Sequence, residues 1–387
     1  MKKGQYIILL ICLAGGMGCR KPYDPPAITS NTSYLVVEGA INPGPDSTTI
    51  TLSHTVNLSS TVTLNPVSGA IVTVISDQNT SYPLTETSTG NYTSPGLNLD
   101  NSHQYRLAIK TPDGKQYQSD LEPVLTTPPI DSVGFNIVSS AGQTGVQVYV
   151  NTHDATNAAK YYRWDYNEEW QFNTKYTSNF VSNGGAIVRR QPSQFVTYCF
   201  TGDASSDIIL GSAAKLSQDV IYQSPLTFIP STSEKIEDKY SILVRQYALT
   251  PEAYAFYTNM KQNTENLGSI FDAQPSSTPG NIHCTTNAAE PVIGYVSVST
   301  VSEKRIFIAY DQLPRWIADY PYQCEQDTMM PPGASGVSLQ NLITDTTVYA
   351  VTIGLGPPLD PAPYLFVNRP CADCTVRGTL TPPPYWK

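Results

Sequence analysis

The apolar and polar positions in the first third of the chain alternate as they do in β-strands. Runs rich in β-branched residues, bounded by Gly, Pro, Asn and Asp, lie at 34–41, 47–53 and 70–76. Shorter runs follow at 90–93, 104–110 and 115–119. Short strands with frequent turn signals are typical of β-sandwiches. The pattern therefore predicts an immunoglobulin-like or transthyretin-like β-sandwich over residues 34–125.

A second, larger β-rich domain is predicted over residues 128–387. Its main strands are predicted at 132–138, 145–151, 160–172, 239–249, 292–301, 304–310 and 346–353. The proline-rich stretch 122–130 is interpreted as the linker between the two domains. The chain after residue 354 is again rich in proline and contains Cys371 and Cys374, which indicates an irregular tail.

One helix is predicted near residues 251–264. Thr250 suits the N-cap, Pro251 the first helical position, and Glu252 the positive end of the helix dipole. Apolar residues then recur at helical spacing, which predicts one face packed against the strands.

The first 18 residues have the features of an export signal. Lys2 and Lys3 precede a short apolar run at 6–14, and small residues lead to Cys19. The apolar run is too short to span a bilayer. The segment resembles a bacterial lipobox, so Cys19 is predicted to carry the lipid anchor. The alternative is an ordinary secretory leader with an incidental cysteine. Residues 19–33 are predicted to form a flexible tether.

Composition excludes two classes of protein. The formal charge of −9 makes the chain a poor binder of phosphate backbones, so no nucleic-acid partner is predicted. A hydrophobic content of 40% argues against global disorder. The high Tyr and Pro content suits a β-protein outside the cytoplasm.

Motifs for catalysis, metal binding or cofactor binding are absent from the sequence. It contains no H-E-x-x-H, G-x-S-x-G, P-loop or G-x-G-x-x-G pattern. Glu168 and Glu169 are adjacent, so on a strand they face opposite ways and do not form a glycosidase pair. No catalytic residue, metal ion or cofactor is therefore predicted, and the protein is not expected to be an enzyme.

The cysteines after the leader allow several arrangements. Cys284, Cys324, Cys371 and Cys374 are the disulfide candidates, because thiols outside the cytoplasm tend to oxidise. Cys199 makes the count odd, so one thiol stays free or pairs between chains. A redox pair at Cys371-x-x-Cys374, or a zinc site with Cys284, Cys324 or His283, remains an alternative. The connectivity stays open.

An aromatic-rich stretch gives the best candidate for a ligand-binding surface. Tyr162, Trp164, Tyr166 and Trp170 share parity, so they fall on one face of a strand. Aromatic platforms bind sugars and peptides, which predicts a ligand-binding site at these residues. The alternative is that this face belongs to the hydrophobic core.

Several short motifs occur in a characteristic order along the chain. They are Lys21-Pro22-Tyr23-Asp24-Pro25, Val36-Val37-Glu38-Gly39, Pro66-Val67-Ser68-Gly69-Ala70, Pro129-Ile130-Asp131-Ser132-Val133, Leu249-Thr250-Pro251-Glu252-Ala253-Tyr254, Pro279-Gly280-Asn281-Ile282, Gly294-Tyr295, Cys371-Ala372-Asp373-Cys374, Gly378-Thr379 and Pro384-Tyr385-Trp386. Together they resemble the family known as domain of unknown function 4249. The resemblance implies an outer-membrane lipoprotein of Bacteroidota, of a kind often encoded beside TonB-dependent transporters.

The expected function is binding or assembly. The leading hypothesis is an accessory subunit that docks on a TonB-dependent outer-membrane transporter and helps to capture or gate its ligand. The alternative is a stand-alone surface lipoprotein that binds glycan or peptide through the aromatic face. The resemblance leaves open whether the lipid-anchored protein faces the periplasm or the cell surface.

Overall fold

β-Strands dominate the computed structural model, which describes residues 33–56, 65–140, 142–183, 186–265, 279–320, 322–325, 327–329, 348–353 and 364–386. The mainly β fold class is confirmed, with one α-helix in the described residues. The predicted leader 1–18, Cys19 and almost all of the predicted tether 19–33 lie outside the described residues.

The elements are numbered in chain order. Strands β1 to β8 are Leu35–Ala40, Thr48–His54, Ile71–Ser76, Ser81–Ser88, Asn91–Ser94, Gln104–Lys110, Gln116–Ser119 and Glu122–Leu125. Strands β9 to β17 are Ile130–Ser140, Gln143–Asp154, Tyr161–Asn173, Phe180–Asn183, Ala186–Arg189, Tyr198–Ala204, Ile209–Ser212, Asp219–Pro230 and Lys239–Leu249. Helix α1 is Pro251–Glu265. Strands β18 to β24 are Ile282–Cys284, Val292–Ile293, Val298–Ser299, Val301–Ala309, Asp327–Met329, Val348–Ile353 and Tyr364–Asn368. Single 3₁₀ turns lie at Pro192–Gln194, Glu234–Ile236, Tyr310–Gln312, Arg369–Cys371 and Cys374–Val376.

The N-terminal sheet has the strand order β18-β7-β6-β3-β4-β5-β2-β1-β19. Its strands bury every second side chain, as Val72 and Val74 of β3 and Leu107 of β6 illustrate. Apolar residues from strands far apart in this order, such as Leu35 and Tyr117, belong to one shared core. The sheet therefore curls around that core, in agreement with the predicted sandwich.

Strands from later in the chain complete this N-terminal sheet. β19 pairs in parallel with β1, and β20 pairs in parallel with β8. β18 adds to the free edge of β7. The predicted linker 122–130 begins with β8, which also pairs with β6. The boundary predicted between residues 125 and 128 therefore does not separate independent sheets, because open strand edges recruit distant segments that no local pattern identifies.

The second half of the fold is built around two further sheets. The central sheet has the order β14-β11-β17-β21, with β15 also paired to β11, and a smaller sheet has the order β16-β10-β9. The alternating valines of β10, with Val148 at the middle, pack in one core with Trp164 of β11 and Val244 of β17. The two sheets thus bury facing surfaces against each other.

Helix α1 begins where the sequence predicts it. The Thr250 hydroxyl accepts a hydrogen bond from the backbone N–H of Ala253 at 3.2 Å, as an N-cap does. Ala253 and Phe256 are buried in a small core with Leu249 and Tyr295. This packing places the helix beside the start of β11 and directs Tyr257 toward the central sheet.

Two disulfides join the C-terminal segment, residues 364–386, to the rest of the fold. Cys199 of β14 bonds to Cys374, and Cys324 bonds to Cys371, so the neighbouring cysteines 371 and 374 have different partners. This excludes the local redox pair and the zinc site. The prediction that Cys284 takes part in a bridge is wrong, because its buried free thiol lies in the N-terminal core rather than beside the C-terminal segment.

A buried carboxyl group links the N-terminal sheet to the chain after helix α1. Glu122 Oε1 accepts hydrogen bonds from the Tyr295 hydroxyl at 2.7 Å and from Asn281 Nδ2 at 2.9 Å. Burial raises the pKa of Glu122 above its ordinary value, although these two hydrogen bonds lower it. The folded protein therefore holds a proton on Glu122 more tightly than the unfolded chain does.

Replacing Glu122 with glutamine is expected to stabilise the protein at pH 8. A raised folded pKa contributes stability that is present below the unfolded pKa and is lost as the pH rises through the folded pKa. The glutamine keeps the carbonyl acceptor and never ionises, so its advantage grows with pH. A one-unit difference between folded and unfolded pKa is worth about 1.4 kcal/mol.

Urea unfolding of wild type and Glu122→Gln between pH 4 and pH 8 measures this effect. The exposed Glu38→Gln is the matched control for the replacement of a glutamate by glutamine. A Glu122→Gln variant that is less stable than wild type at pH 8 would contradict the assignment.

Candidate functional site

The predicted aromatic binding face is part of the hydrophobic core. Tyr162, Trp164, Tyr166 and Trp170 do share one face of β11, but only 0%, 1%, 7% and 8% of their surfaces are exposed. The β16-β10-β9 sheet covers them, and the Trp164 indole N–H donates to Gln246 Oε1 at 2.9 Å inside this core. The prediction of a ligand-binding surface at these four residues is therefore wrong.

The opposite face of β11 carries alternating charged and polar side chains. Arg163, Asp165 and Asn167 lie on this face, because they have the other parity along the strand. In the central sheet Asp165 lies opposite Arg245 of β17, and Arg245 lies opposite Glu303 of β21. A charged ladder thus crosses three neighbouring strands.

One end of this charged ladder lines an open cleft of about 830 Å³, which we call the polar cleft. The residues that line it are Gly39, Ala40, Asn42, Asp46, Ser47, Thr49, Arg163, Asp165, Arg245, Tyr247, Val301 and Glu303. One wall comes from β1, β2 and their connection, and the other wall from the central sheet. Its volume is in the range of small-molecule binding sites.

Two arginines on the wall formed by the central sheet share a single carboxylate. Arg245 donates from Nε to Asp165 Oδ1 at 2.5 Å and from Nη1 to Asn167 Oδ1 at 2.6 Å. Arg163 reaches the same carboxylate only at 3.5 Å, from Nη2 to Oδ2. Asp165 is therefore paired mainly with Arg245, which also lies opposite Glu303, and Arg163 is the less closely paired of the two arginines.

Arg163 is held by two aromatic rings. Its guanidinium carbon lies 4.5 Å from the ring centroid of Tyr247 and 5.2 Å from that of Tyr257 on helix α1. The side chain is 22% exposed. Within the described residues the Asp165 carboxylate is its ion-pair partner, and no hydrogen bond occupies its other N–H groups. Those donors are available to a ligand in the polar cleft.

The protonation states of this wall are fixed around neutral pH. Burial lowers the pKa of Arg163, but the neighbouring Tyr257 and the Asp165 carboxylate more than offset this, so the pKa lies above its ordinary value. Burial and the Asp165 carboxylate raise the pKa of Tyr247 to about 12. Arg163 therefore stays charged and Tyr247 stays a neutral phenol.

Two exposed carboxylates also line the polar cleft. Asp46, from the connection between β1 and β2, and Glu303 of β21 are both exposed lining residues. In the described part of the chain neither carboxylate has an ion-pair partner. The cleft therefore combines the loosely paired Arg163 guanidinium with two carboxylates that have no ion-pair partner among the described residues.

Arg305 lies on the same face of the central sheet as Arg163, but it has no room beside it for a ligand. It donates from Nη1 to Glu169 Oε2 and to Ser241 Oγ, both at 2.7 Å, and stacks at 3.7 Å on the ring of Tyr385. Tyr385 belongs to the C-terminal segment, which covers that end of the charged face. Arg305 therefore uses Nη1 for two hydrogen bonds within the protein, whereas Arg163 has no hydrogen bond among the described residues and lines the polar cleft.

The described residues give no support for a metal site or a membrane-spanning helix. Among the described residues no group of three His, Cys, Asp or Glu side chains is placed to hold a metal ion. His283 lies 3.3 Å from Asp120 on the surface and does not line the polar cleft. No helix within the described ranges is long and apolar enough to cross a membrane.

The sequence contains a signal for the polar cleft. The stretch 160–172 alternates aromatic residues with Arg, Asp, Asn and Glu, so a single strand has an aromatic face and a charged face. The predicted site nevertheless omits Arg163 and Arg245, because the sequence analysis assigns ligand binding to the aromatic face of the strand and not to its charged face. Asp46 comes from a distant hairpin and has no local signature.

The fold and the cleft define a class: a mainly β protein whose central sheet presents a charged face to a small-molecule-sized cleft. The chain belongs to the family described as domain of unknown function 4249 (DUF4249), whose model matches residues 20–305. No curated protein matches the sequence. Among solved structures, chitinase ChiA74 from Bacillus thuringiensis is similar at 12% identity with a TM-score of 0.15, covering 56% of this chain and 30% of that protein. A similarity of this size carries no argument about fold or activity.

Proposed function

We propose that this protein is a non-catalytic, lipid-anchored binding protein of the outer membrane and that the polar cleft holds its ligand. The observation that carries the proposal is Arg163, a guanidinium stacked on two tyrosine rings with donors open to a cleft of about 830 Å³. Partly buried arginines with unpaired donors are well suited to recognise anionic groups.

The chemistry of the lining supports binding rather than catalysis. Neither histidine nor cysteine is among the lining residues, so the cleft offers no imidazole or thiol for acid–base or nucleophilic catalysis. Arg163 and Tyr247 keep their protons at neutral pH, so neither of them acts as a general base. The arrangement suits recognition of charge by fixed groups.

Replacing Arg163 with glutamine is expected to weaken ligand binding at least tenfold. The fold should tolerate the change, because Asp165 keeps Arg245 as its partner. A thermal-shift screen with amino acids, tripeptides, mono- and disaccharides and tricarboxylic acids, followed by calorimetry, measures binding. Arg305→Gln on the same sheet is the matched control and should bind like wild type. Equal binding by wild type and Arg163→Gln would contradict the polar cleft as the site.

The proposed anchor is Cys19. It is supported by the positively charged and apolar leader that precedes this cysteine. Replacing Cys19 with alanine is expected to move the protein from the membrane fraction to the soluble fraction, since the acyl chains provide the attachment. Cys12→Ala, inside the leader, is the control and should remain in the membrane fraction. Membrane retention of Cys19→Ala would contradict lipidation at this residue.

The proposed partner is a TonB-dependent outer-membrane transporter, to which the protein would deliver its ligand. The proposal rests on the family resemblance and on the proposed anchor, which would keep both proteins in one membrane. Mass spectrometry of what co-purifies with the tagged protein from detergent-solubilised outer membranes tests it. A stoichiometric transporter would support an accessory subunit. Absence of one would favour the stand-alone binding lipoprotein.

A further inference from the structure

We propose that the polar cleft binds short peptides whose carboxylate and ammonium ends are both free. This inference rests on the proposed function of the cleft and names its ligand. Its lining includes one loosely paired guanidinium, Arg163, and two carboxylates without an ion-pair partner among the described residues, Asp46 and Glu303. Groups of both signs match a zwitterion rather than a simple anion or a neutral molecule.

Arg163 is complementary to one carboxylate. Its positive charge is only loosely paired, because Asp165 lies 2.5 Å from Arg245 but 3.5 Å from Arg163. A ligand carboxylate on the open donors of Arg163 would neutralise this charge and form bidentate hydrogen bonds. A highly charged anion such as citrate or a phosphate ester fits less well, because Asp165, Asp46 and Glu303 would repel its additional charge.

Asp46 and Glu303 are complementary to an ammonium group. They lie on opposite walls of the cleft, one in the connection between β1 and β2 and the other on β21. Within the described residues neither is paired, so a ligand ammonium group would be their counter-ion. Two carboxylates around one ammonium group give charge-assisted hydrogen bonds that a neutral amide end does not form.

A neutral ligand would bind weakly in this cleft. Seating a sugar against Arg163 would remove water from a charged group without supplying a counter-charge, which is unfavourable. The aromatic surface of the lining is also limited, because the face of Tyr247 is already occupied by the Arg163 guanidinium. The cleft volume suits a peptide of a few residues rather than a polymer.

The test uses native mass spectrometry of the full chain with a random tripeptide mixture. The same mixture is offered with free ends, with amidated C-termini and with acetylated N-termini, and maltose and citrate serve as other ligand classes. Free tripeptides are expected to bind. Amidation should weaken binding at least tenfold, and acetylation about three- to tenfold.

Two variants assign each end of the peptide to its side chains. In Arg163→Gln, free and amidated mixtures should bind equally weakly, since the carboxylate has lost its partner. In the double variant Asp46→Asn with Glu303→Gln, free and acetylated mixtures should bind alike. Arg305→Gln should reproduce the wild-type preferences, and matching melting temperatures exclude unfolding as the cause.

The outcomes separate the ligand class from the proposed function. Binding of maltose or citrate that depends on Arg163, without tripeptide binding, would overturn the peptide inference and support the cleft as a site. Tripeptide binding that is unchanged by amidation, or by Arg163→Gln, would also overturn the inference. If none of the probes binds, the peptide inference is overturned and the proposed function loses its support.

Discussion

Replacing Trp164 with alanine is expected to lower the free energy of unfolding by about 3–5 kcal/mol, the range for large aromatic truncations in protein cores. The indole is almost fully buried, stacks on Tyr162 with 5.8 Å between ring centroids, and lies directly against Gly211. Its loss would leave a cavity and would also leave Gln246 Oε1 without its donor. Urea unfolding followed by circular dichroism measures the difference.

The same experiment separates the two interpretations of the aromatic stretch. Tyr222, which is 75% exposed, is the control, and Tyr222→Ala should change stability by less than about 0.5 kcal/mol. Trp164→Phe keeps most of the volume and should lose about 1–2 kcal/mol, mainly through the lost hydrogen bond. If Trp164→Ala unfolded like wild type, the indole would be a surface group and the core assignment would be wrong.

This case shows how far strand periodicity predicts a site. The period of two correctly placed Tyr162, Trp164, Tyr166 and Trp170 on one face of β11. It did not determine which face meets solvent, because that depends on the β16-β10-β9 sheet, formed by segments on both sides of β11 in the chain. The aromatic residues identify the face that packs in the core. They do not identify the face that lines the polar cleft.

The charged ladder is a long-range feature for the same reason. Arg163 and Arg245 share Asp165 only because β11 and β17 pair in one particular register. Asp46 joins them from the first hairpin, where nothing local distinguishes it from an ordinary turn residue. Local rules were sufficient for the start of helix α1 at Thr250, because a cap and its first turn lie within a few residues.

The disulfides follow the same division between local and long-range information. Outside the cytoplasm, cysteines were expected to bond, and Cys324, Cys371 and Cys374 do so. Cys199 forms a bridge and Cys284 does not, because the two thiols lie in different cores. Cys284 lies in β18 and faces the N-terminal core, whereas Cys199 of β14 lies in the same core as Cys374.

Removing the Cys199–Cys374 bridge is expected to destabilise the protein by about 3–5 kcal/mol. The bond closes a loop with a sequence separation of 175, and the chain-entropy model assigns about 5 kcal/mol to a loop of that length. Residual order in the unfolded chain lowers this value, because a partly ordered chain loses less entropy when the loop is closed. The paired variant Cys199→Ser with Cys374→Ser avoids leaving a single reactive thiol. Chemical unfolding under non-reducing conditions measures the loss.

The bridge also decides how firmly the C-terminal segment covers its end of the central sheet. Without it, that cover depends on non-covalent contacts such as Arg377 with Glu234 at 2.7 Å, and on the second bridge, Cys324–Cys371. The polar cleft lies at the other end of the charged face, so ligand binding should survive in the variant at temperatures where it stays folded. Cys284→Ala, which removes a thiol but no bridge, is the control and should lose no more than about 1 kcal/mol. A paired variant as stable as wild type would show that the non-covalent contacts and the Cys324–Cys371 bridge fix the C-terminal segment without the Cys199–Cys374 bridge.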